Sequence, residues 1–344
     1  MDGGYYIRCP PTTFPMGLLK RLSLALLVLA AGFGAWIVQF ALAAVPLAAS
    51  PLDFTITPGS SLRAAAAQMV QSGVGFAPWK FALLGRLSGR ASTIKAGSYE
   101  ISAGITAWDL LAKLTRGDVT QAEVLLVEGW TFAQVRRTLD AHGDLRHETR
   151  GLTDREVLSR LGALEAHAEG LFFPDTYLFA KQSADLDVLK RAYRMMQRRL
   201  DTEWQGRAEG LPYRTPYQAL IMASIVEKET GRAEDRPRIA AVFVNRLRRG
   251  MLLQTDPTVI YGLGARFDGN LRKRDLVADG PYNTYTRPGL PPTPIAMPGL
   301  GSIQAALRPA GGDELYFVAR GDGSSQFSRT LDEHNRAVDR YQRR

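Results

Sequence analysis

One apolar segment ends in acidic side chains that are suited to proton transfer. Residues 216–230 read PYQALIMASIVEKET, and positions 219–226 are apolar except for Ser224. Proline favours the first turn of a helix, and a helix that is apolar on all sides is buried. Glu227 then lies at the C-terminal end of a buried helix, where desolvation and the negative helix end both favour a protonated carboxyl. Such a carboxyl can act as a general acid near neutral pH.

A second glutamate, Glu229, follows two residues later. It lies about 200° round the helix axis, so the two carboxyls do not form a side-by-side pair. Ser224 falls on the face of Glu227, and its hydroxyl is expected to be able to bond that carboxyl. The same pattern also fits two glutamates that are only exposed to solvent at the end of the helix. This segment alone therefore leaves a catalytic and a structural interpretation open.

Two further segments carry polar groups that suit a hydroxyl-rich ligand. Asp256 followed by Pro257 predicts a helix N-cap with proline in the first turn, which leaves the polar pair 254–255 unexplained. Residues 280–301 read GPYNTYTRPGLPPTPIAMPGLG, and their six prolines reduce the entropy lost on binding. Tyrosine rings stack on sugars, while Asn and Thr side chains bond to hydroxyls. An ordinary surface loop is the alternative.

Metal and nucleotide chemistry find no support in the sequence. The chain of 344 residues has one cysteine, Cys9, and no CxxC pair, which excludes a thiolate metal site and a disulfide framework. No two of its four histidines lie at i and i+4, and neither a GxxxxGK[ST] loop nor a GxGxxG turn after a strand occurs. We therefore expect neither a metal nor a cofactor.

One N-terminal segment is long enough to cross a membrane. Leu22–Leu42 holds 21 residues without a charge, about 31 Å as a helix at about 1.5 Å per residue, against a hydrocarbon core of about 30 Å. Arg8, Lys20 and Arg21 precede it, so residues 1–21 are expected in the cytoplasm and the remaining chain outside. A cleaved signal peptide is the alternative, although its apolar region is usually shorter.

The chain carries a net charge of +9. A basic surface outside the cell suits an anionic partner, such as phospholipid headgroups or an acidic cell-wall polymer. Nucleic acid is not an expected partner, because an exported protein rarely meets it. The alternative is that the excess of arginine only keeps the protein soluble.

Turn residues and periodicity divide the exported chain into two parts. Residues 53–118 predict a strand, two helices, a second strand and a third helix, which form a small α+β module without a set of catalytic groups. Residues 121–340 predict a larger, helix-rich domain with short antiparallel strands, and it contains Glu227. The aromatic run at 169–179 is too apolar to lie wholly on a surface. The expected fold class is α+β.

Several motifs, by their order and spacing, resemble the endolytic murein transglycosylase, or YceG-like, family. The segments that carry the resemblance are Glu227–Thr230, Asn245–Leu247, Leu253–Gly262, Tyr282–Tyr285 and Gly289–Pro292, with Glu128–Thr131 and Glu169–Phe179 upstream and Leu315–Ala319 and Glu333–Asn335 downstream. The resemblance covers nearly the whole chain. It implies a LysM-like character for residues 53–118 and a catalytic domain over residues 121–340.

The resemblance implies an enzyme of the bacterial inner membrane that faces the periplasm. Such enzymes cut the β-1,4 bond between N-acetylmuramic acid and N-acetylglucosamine in nascent glycan strands, leave a 1,6-anhydro end and so terminate elongation. Peptidoglycan synthases are candidate partners. Glu227 matches the catalytic glutamate of the family. Ser325 stands where the family often has a histidine, so no role of that histidine transfers to this chain.

A single carboxyl suffices if the nucleophile is the C6 hydroxyl of the muramic acid itself. Glu227 would protonate the leaving oxygen and then deprotonate that hydroxyl. The residues expected to bind the glycan are Gln254, Thr255, Asp256, Tyr261, Tyr282, Asn283 and Tyr285. Two other functions stay open. A hydrolase of the same strands would need a second carboxylate, for which Asp256 is the candidate, and a wall-binding scaffold would need none.

Overall fold

The structure is a computed structural model that describes residues 16–342. Arg8, Cys9 and most of the predicted cytoplasmic segment 1–21 lie outside the described residues. The chain divides after Thr120 into two compact units. We call the part that ends at Thr120 the first unit and the part that begins at Gln121 the second unit.

A long apolar helix, α1 (Met16–Leu42), opens the first unit. Within the described residues, one stretch, Ser23–Leu42, is long and apolar enough to cross a membrane, which agrees with the predicted segment. The chain continues from α1 directly into the unit, because the Val45 amide donates to the Ile105 carbonyl at 2.8 Å. Ala41, in the last turn of α1, is buried in the core of the unit.

The rest of the first unit follows the predicted order of strand, helix, helix, strand and helix. These elements are β1 (Leu52–Ile56), α2 (Leu62–Gln71), α3 (Pro78–Leu87), β2 (Gly97–Ile101) and α4 (Ala107–Arg116). The two strands pair antiparallel, with Phe54 opposite Tyr99 and their ring centroids 5.6 Å apart. The Ser61 and Thr106 side chains cap α2 and α4. The LysM-like character of this unit stays a prediction.

The second unit is mostly helical, with short antiparallel strand pairs, as predicted. Its elements are β3 (Gln121–Leu125), α5 (Phe132–Ala141), α6 (Asp154–Leu161), β4 (Thr176–Ala180), α7 (Asp185–Gln205), α8 (Pro216–Glu229), α9 (Arg236–Arg248), α10 (Asp256–Leu263), a 3₁₀ turn (Gly264–Arg266), α11 (Lys273–Val277), α12 (Leu300–Leu307), β5 (Tyr316–Ala319), β6 (Ser325–Ser328) and α13 (Leu331–Tyr341). Strand β3 pairs with β4, and β5 pairs with β6.

Helix α8 lies in the centre of the second unit. Residues 219–226 are all buried, as the all-round apolar pattern predicts, and α7, α9, α10 and α12 pack around them. The prediction for Ser224 was wrong. Its hydroxyl donates to the Ile221 carbonyl at 2.7 Å and accepts from the Ile295 amide at 2.9 Å, so it bonds a neighbouring segment rather than Glu227.

The proline-rich segment 280–301 is not an ordinary surface loop. Its second half is buried, with Ile295, Ala296 and Met297 each at most 2% exposed, and α12 takes up its last residues. The Met297 amide donates to the Trp130 carbonyl at 2.7 Å, and the Gly129 amide donates to the Met297 carbonyl at 2.8 Å. These two bonds place the turn before α5 beside the start of α12.

One predicted helix start is shifted. Helix α10 begins at Asp256 itself, so Asp256 is not the N-cap, and Thr255 takes that position without a capping bond from its side chain.

Helix α7 begins at Asp185. The buried Asp185 carboxylate accepts from the Leu186 amide at 2.8 Å and so stabilises the first turn.

We expect Asp185→Ala to lower the free energy of unfolding by about 3 kcal/mol, because it leaves buried donors without an acceptor. The Asp185 carboxylate accepts from the Glu148 amide at 2.9 Å and from the Thr149 hydroxyl at 2.6 Å. Denaturant unfolding of purified protein measures the change. Asp187→Ala, in the same turn but exposed, is the control and should cost less than about 1 kcal/mol. Equal losses for the two variants would contradict the argument.

Candidate active site

Glu227 lies in the last turn of α8, and its side chain is only 6% exposed. Its Oε2 accepts a hydrogen bond from the Gly299 amide at 3.0 Å, and its Oε1 lies 3.5 Å from Nη2 of Arg236, the first residue of α9. Gly299 directly precedes α12, so its N–H belongs to the positive end of that helix. Both donors stabilise a carboxylate and act against the desolvation that the sequence predicts.

A second carboxylate, Glu128, shares the same guanidinium group. Its Oε2 lies 3.8 Å from Nη2 of Arg236, and about half of its side chain is exposed. Burial raises the pKa of Glu128, the nearby charge of Glu227 raises it further, and Arg236 lowers it. Glu128 is not among the predicted site residues. The candidate for a second carboxylate was Asp256, whereas the carboxylate that shares Arg236 with Glu227 is Glu128.

Two glycines let Glu128 reach this position. Gly129 adopts a left-handed conformation with φ of 77°, which reverses the chain directly after Glu128. A Cβ atom on Gly299 would overlap the Glu128 carboxylate, so that carboxylate needs a residue without a side chain beneath it. The Lys228 ammonium donates to the Gly129 carbonyl at 3.3 Å and holds the turn against the end of α8. A local signal was present in the Glu–Gly pair, but it indicates only a turn.

Glu229, on the other side of the same helix end, forms a separate cluster. It accepts a hydrogen bond from the Thr255 hydroxyl. Burial raises the pKa of Glu229 to about 7, and the charge of Asp256 acts in the same direction. Thr255 is itself buried, and its amide donates to the Thr284 hydroxyl at 3.1 Å. Thr255 therefore joins α8 to the segment that carries the predicted tyrosines.

Three of the predicted binding residues lie next to this cluster. The Tyr285 hydroxyl donates to Oδ1 of Asp256 at 2.5 Å. Gln254 is exposed, has a left-handed φ of 50°, and accepts through its Oε1 from Arg246 at 3.4 Å. A non-glycine residue in that conformation is uncommon and is found at functional sites. The structure therefore brings Gln254, Asp256 and Tyr285 together, and their role in binding stays a prediction.

Tyr261 and Tyr282 line a different part of the surface, a cavity of about 1230 Å³. Their rings meet edge to face with centroids 4.9 Å apart, and the Tyr261 hydroxyl donates to Oε2 of Glu169 at 3.0 Å. Glu169 is 8% exposed, and its Oε1 accepts from the Phe132 amide at 2.9 Å. Burial raises the pKa of Glu169 to about 7. Lys228, the neighbour of Glu227, also lines this cavity.

Asn283 has its amide group occupied within its own segment. Its Nδ2 donates to the carbonyls of Leu276 at 3.1 Å and Ala278 at 2.7 Å, and its Oδ1 accepts from the Tyr285 amide at 2.8 Å. The side chain is 5% exposed. As a binding residue Asn283 stays a prediction, and its contacts indicate that it acts by shaping the segment rather than by bonding a ligand.

Ser325, the position that departs from the family pattern, lies in β6. Its amide donates to Oδ2 of Asp235 at 3.1 Å, and Asp235 directly precedes Arg236. The serine therefore borders the segment that supplies the cation of the site. Because this bond comes from the backbone amide, it can form whichever side chain residue 325 carries.

The end of α8 thus sends consecutive side chains into three environments. Glu227 faces Arg236 and the start of α12, Lys228 faces the cavity, and Glu229 faces Thr255. The cavity reaches the end of α8 through Lys228, the residue after Glu227. A nearly enclosed carboxyl at that helix end can exchange a proton with a polar ligand that reaches it.

Sequence comparisons place this arrangement among known proteins. The sequence profile of the YceG-like family matches residues 54–340. A Bacillus subtilis protein named endolytic murein transglycosylase is 32% identical in an alignment of length 308 that covers 84% of this chain and 84% of that protein. A Streptococcus pneumoniae protein of the same name is 30% identical in an alignment of length 280 that covers 71% of this chain and 50% of that protein. The chain therefore spans most of the first relative and half of the second.

A solved structure is also similar. It is the crystal structure of a YceG-like protein from Listeria monocytogenes, which is 29% identical to this chain. The two align with a TM-score of 0.53 over 83% of this chain and 98% of the other.

The raised pKa of Glu169 makes the stability of the fold depend on pH. The folded protein holds this proton up to about pH 7, whereas an unfolded chain releases it near 4.5. The folded state therefore binds more protons between these values, and the free energy of unfolding falls as pH rises through this window. Above about pH 7 this contribution is constant.

We expect Glu169→Gln to lose part of that pH dependence, so its stability relative to wild type improves between about pH 5 and about pH 8. Denaturant unfolding at the two pH values measures the difference. Glu209→Gln, at an exposed position, is the control and should change stability by the same amount at both. Because Glu229 titrates in the same pH window, the pH dependence of stability is smaller in Glu169→Gln but does not vanish. An unchanged slope in Glu169→Gln would contradict the assignment.

Proposed function

The chain belongs to the YceG-like family, and from that premise we propose that it is an endolytic murein transglycosylase acting on peptidoglycan. The substrate class comes from the two relatives of that name, one of which is matched over 84% of its length. The observation that carries the proposed reaction is the nearly enclosed Glu227 carboxyl, one residue before Lys228, which lines the cavity. The family resemblance assigns the catalytic glutamate to the same position.

The proposed reaction breaks the β-1,4 bond between N-acetylmuramic acid and N-acetylglucosamine. Glu227 gives its proton to the glycosidic oxygen, which leaves on the N-acetylglucosamine. The resulting carboxylate accepts the proton of the C6 hydroxyl while that oxygen bonds to C1 of the muramic acid. The product is a 1,6-anhydro ring, no water is consumed, and Glu227 ends protonated as it began. The attack is intramolecular, so its entropic cost is low.

The surroundings of Glu227 suit both halves of this cycle. The Arg236 guanidinium and the Gly299 amide stabilise the carboxylate that forms after the first proton transfer. Glu128 approaches the same guanidinium, so the cation of the site lies between two carboxylates.

The glycan would bind along the predicted residues on both sides of this end of α8. Tyr261 and Tyr282 offer aromatic faces in the cavity, and Gln254, Asp256 and Tyr285 offer polar groups next to Glu229. In this proposal α1 is a single-pass anchor in the inner membrane, with the second unit in the periplasm. Cutting nascent strands there would terminate their elongation, beside the synthases that make them.

Hydrolysis is the second candidate, and the position of Glu128 favours it. Glycoside hydrolases normally use two carboxylates that flank the bond, one of them as base or nucleophile. Glu128 and Glu227 approach the same guanidinium nitrogen, and Glu128 is the more exposed of the two. Asp256, the earlier candidate for this role, instead accepts from Tyr285. The two reactions differ in their product, because hydrolysis leaves a reducing end.

We expect Glu227→Gln to reduce cleavage by about 10²- to 10⁴-fold, because glutamine cannot give or take the proton. The full chain in detergent is incubated with uncrosslinked glycan strands, and mass spectrometry identifies the ends. Wild type should give anhydro ends, one water lighter than reducing ends. Glu234→Gln makes the same charge change at an exposed position before α9 and should keep full activity. Undiminished cleavage by Glu227→Gln would refute the assignment.

Glu128→Gln separates the two reactions. In the transglycosylase Glu128 acts only through the counter-ion of Glu227, so we expect a loss of about tenfold or less and anhydro ends as before. In the hydrolase it would be the base or nucleophile, and its loss would cost about 10²- to 10⁴-fold. The same mass spectrometry decides. Reducing ends from wild type together with the larger loss would replace the transglycosylase by the hydrolase.

A further inference from the structure

The last turns of α1 belong to the core of the first unit. Ala41 is buried there, and Ile37 and Phe40, which precede it in α1, pack against the same core. Two residues beyond the end of α1, Ala44 forms a bridge with Thr106. The apolar helix is therefore continuous with the folded unit, and no extended tether separates them.

The length of α1 then fixes how close the unit lies to a membrane that α1 crosses. Trp36 lies fifteen residues after Arg21, about 22 Å along a helix at about 1.5 Å per residue. A hydrocarbon core is about 30 Å thick. If Arg21 marks its inner edge, the outer edge falls near Leu42, about 9 Å beyond Trp36. Whatever packs against Trp36 must then lie at or below the outer headgroup layer.

The start of α3 packs there. The Trp79 ring stacks on the Trp36 ring with centroids 5.7 Å apart, and the Lys80 ammonium lies 5.4 Å from the Trp36 ring and 5.8 Å from the Trp79 ring. Trp79 is 53% exposed, an unusual value for so large an apolar side chain. Tryptophan and lysine are the residues that occupy membrane interfaces, the ring among acyl chains and headgroups and the ammonium among phosphates.

The same face of α3 continues with apolar and basic side chains. Arg86 and Leu87 follow Trp79 by seven and eight residues and so share its side of the helix, and both are exposed. Leu87 is 58% exposed. Beyond the helix, the Arg90 guanidinium lies 4.6 Å from the ring of Trp108, which is 37% exposed.

All charged residues in the segment that contains α2 and α3 are basic. Between Asp53 and Glu100 the sequence has no acidic residue. Its basic residues are Arg63, Lys80, Arg86, Arg90 and Lys95. An anionic lipid surface is complementary to such a segment, and a neutral surface is not.

We propose that α3 lies at the outer face of the membrane, with the Trp79 ring below the headgroups beside Trp36, Leu87 at the level of the headgroups, and Lys80, Arg86 and Arg90 at anionic phosphates. This rests on the proposed role of α1 as a membrane anchor. The first unit is then a membrane-seated module, held at one height and in one orientation by a crossing helix and an interfacial helix at once.

Depth-dependent quenching of a fluorophore tests this in the full chain. Cys9→Ser removes the only cysteine, and single cysteines then carry an environment-sensitive dye at Leu87, Leu29 or Ala64. Leu29, on the exposed side of α1, reports the anchor. Ala64, exposed in the first turn of α2 and outside both α1 and α3, is the control. The protein is reconstituted in nanodiscs of phosphatidylethanolamine and phosphatidylglycerol that contain nitroxide lipids.

We expect a nitroxide near the headgroup to remove roughly half or more of the emission at Leu87 and little at Ala64, while a nitroxide deep in the acyl chains quenches Leu29. Replacing phosphatidylglycerol by phosphatidylcholine should weaken the quenching at Leu87. Quenching at Leu29 with Leu87 no different from Ala64 would overturn the seating of α3 and leave the anchor intact. A dye at Leu29 that no nitroxide quenches would overturn the anchor and, with it, this inference.

Discussion

A helix that is apolar on every side is stable in water only when other elements enclose it, and this requirement organises the second unit. Helices α7, α9, α10 and α12 surround α8, and the proline-rich segment closes the gap that they leave at Ser224. Because α8 is enclosed, its charged residues appear only at its end. The candidate site is located where the covering of a buried helix stops.

The electrostatics of the site follow from that position. A carboxylate at the C-terminal end of a helix meets an unfavourable field, and burial adds to the cost. The start of α12 and the guanidinium of Arg236 supply the opposite field at Glu227. Glu128 then takes the remaining side of the same guanidinium. One cation between two carboxylates makes the charge of each depend on the other, a property that neither residue would have alone.

Local signals in the sequence predicted the secondary-structure elements better than they predicted the contacts between those elements. Capping residues such as Thr131 and Thr106 and the all-round apolar run of α8 each act within a few residues, so a pattern reveals them. Glu128 could not be found in this way, because it meets Arg236 across more than 100 residues of chain and its own neighbours indicate only a turn. Asn283 was selected for its type, yet carbonyls a few residues away already use its amide. Residue type shows what a side chain can do, but only packing shows which of its groups are free.

The three-way divergence at the end of α8 also limits how its length can change. Inserting or deleting one residue before Glu227 would turn the helix end by about 100°. Such a change would exchange the directions of Glu227, Lys228 and Glu229 and bring an ammonium towards Arg236. Adding a whole turn would restore the directions but move the end by about 5 Å, away from Gly299. Insertions are therefore tolerable in the loops before Pro216 and after Thr230, whereas α8 itself must keep both its length and its register.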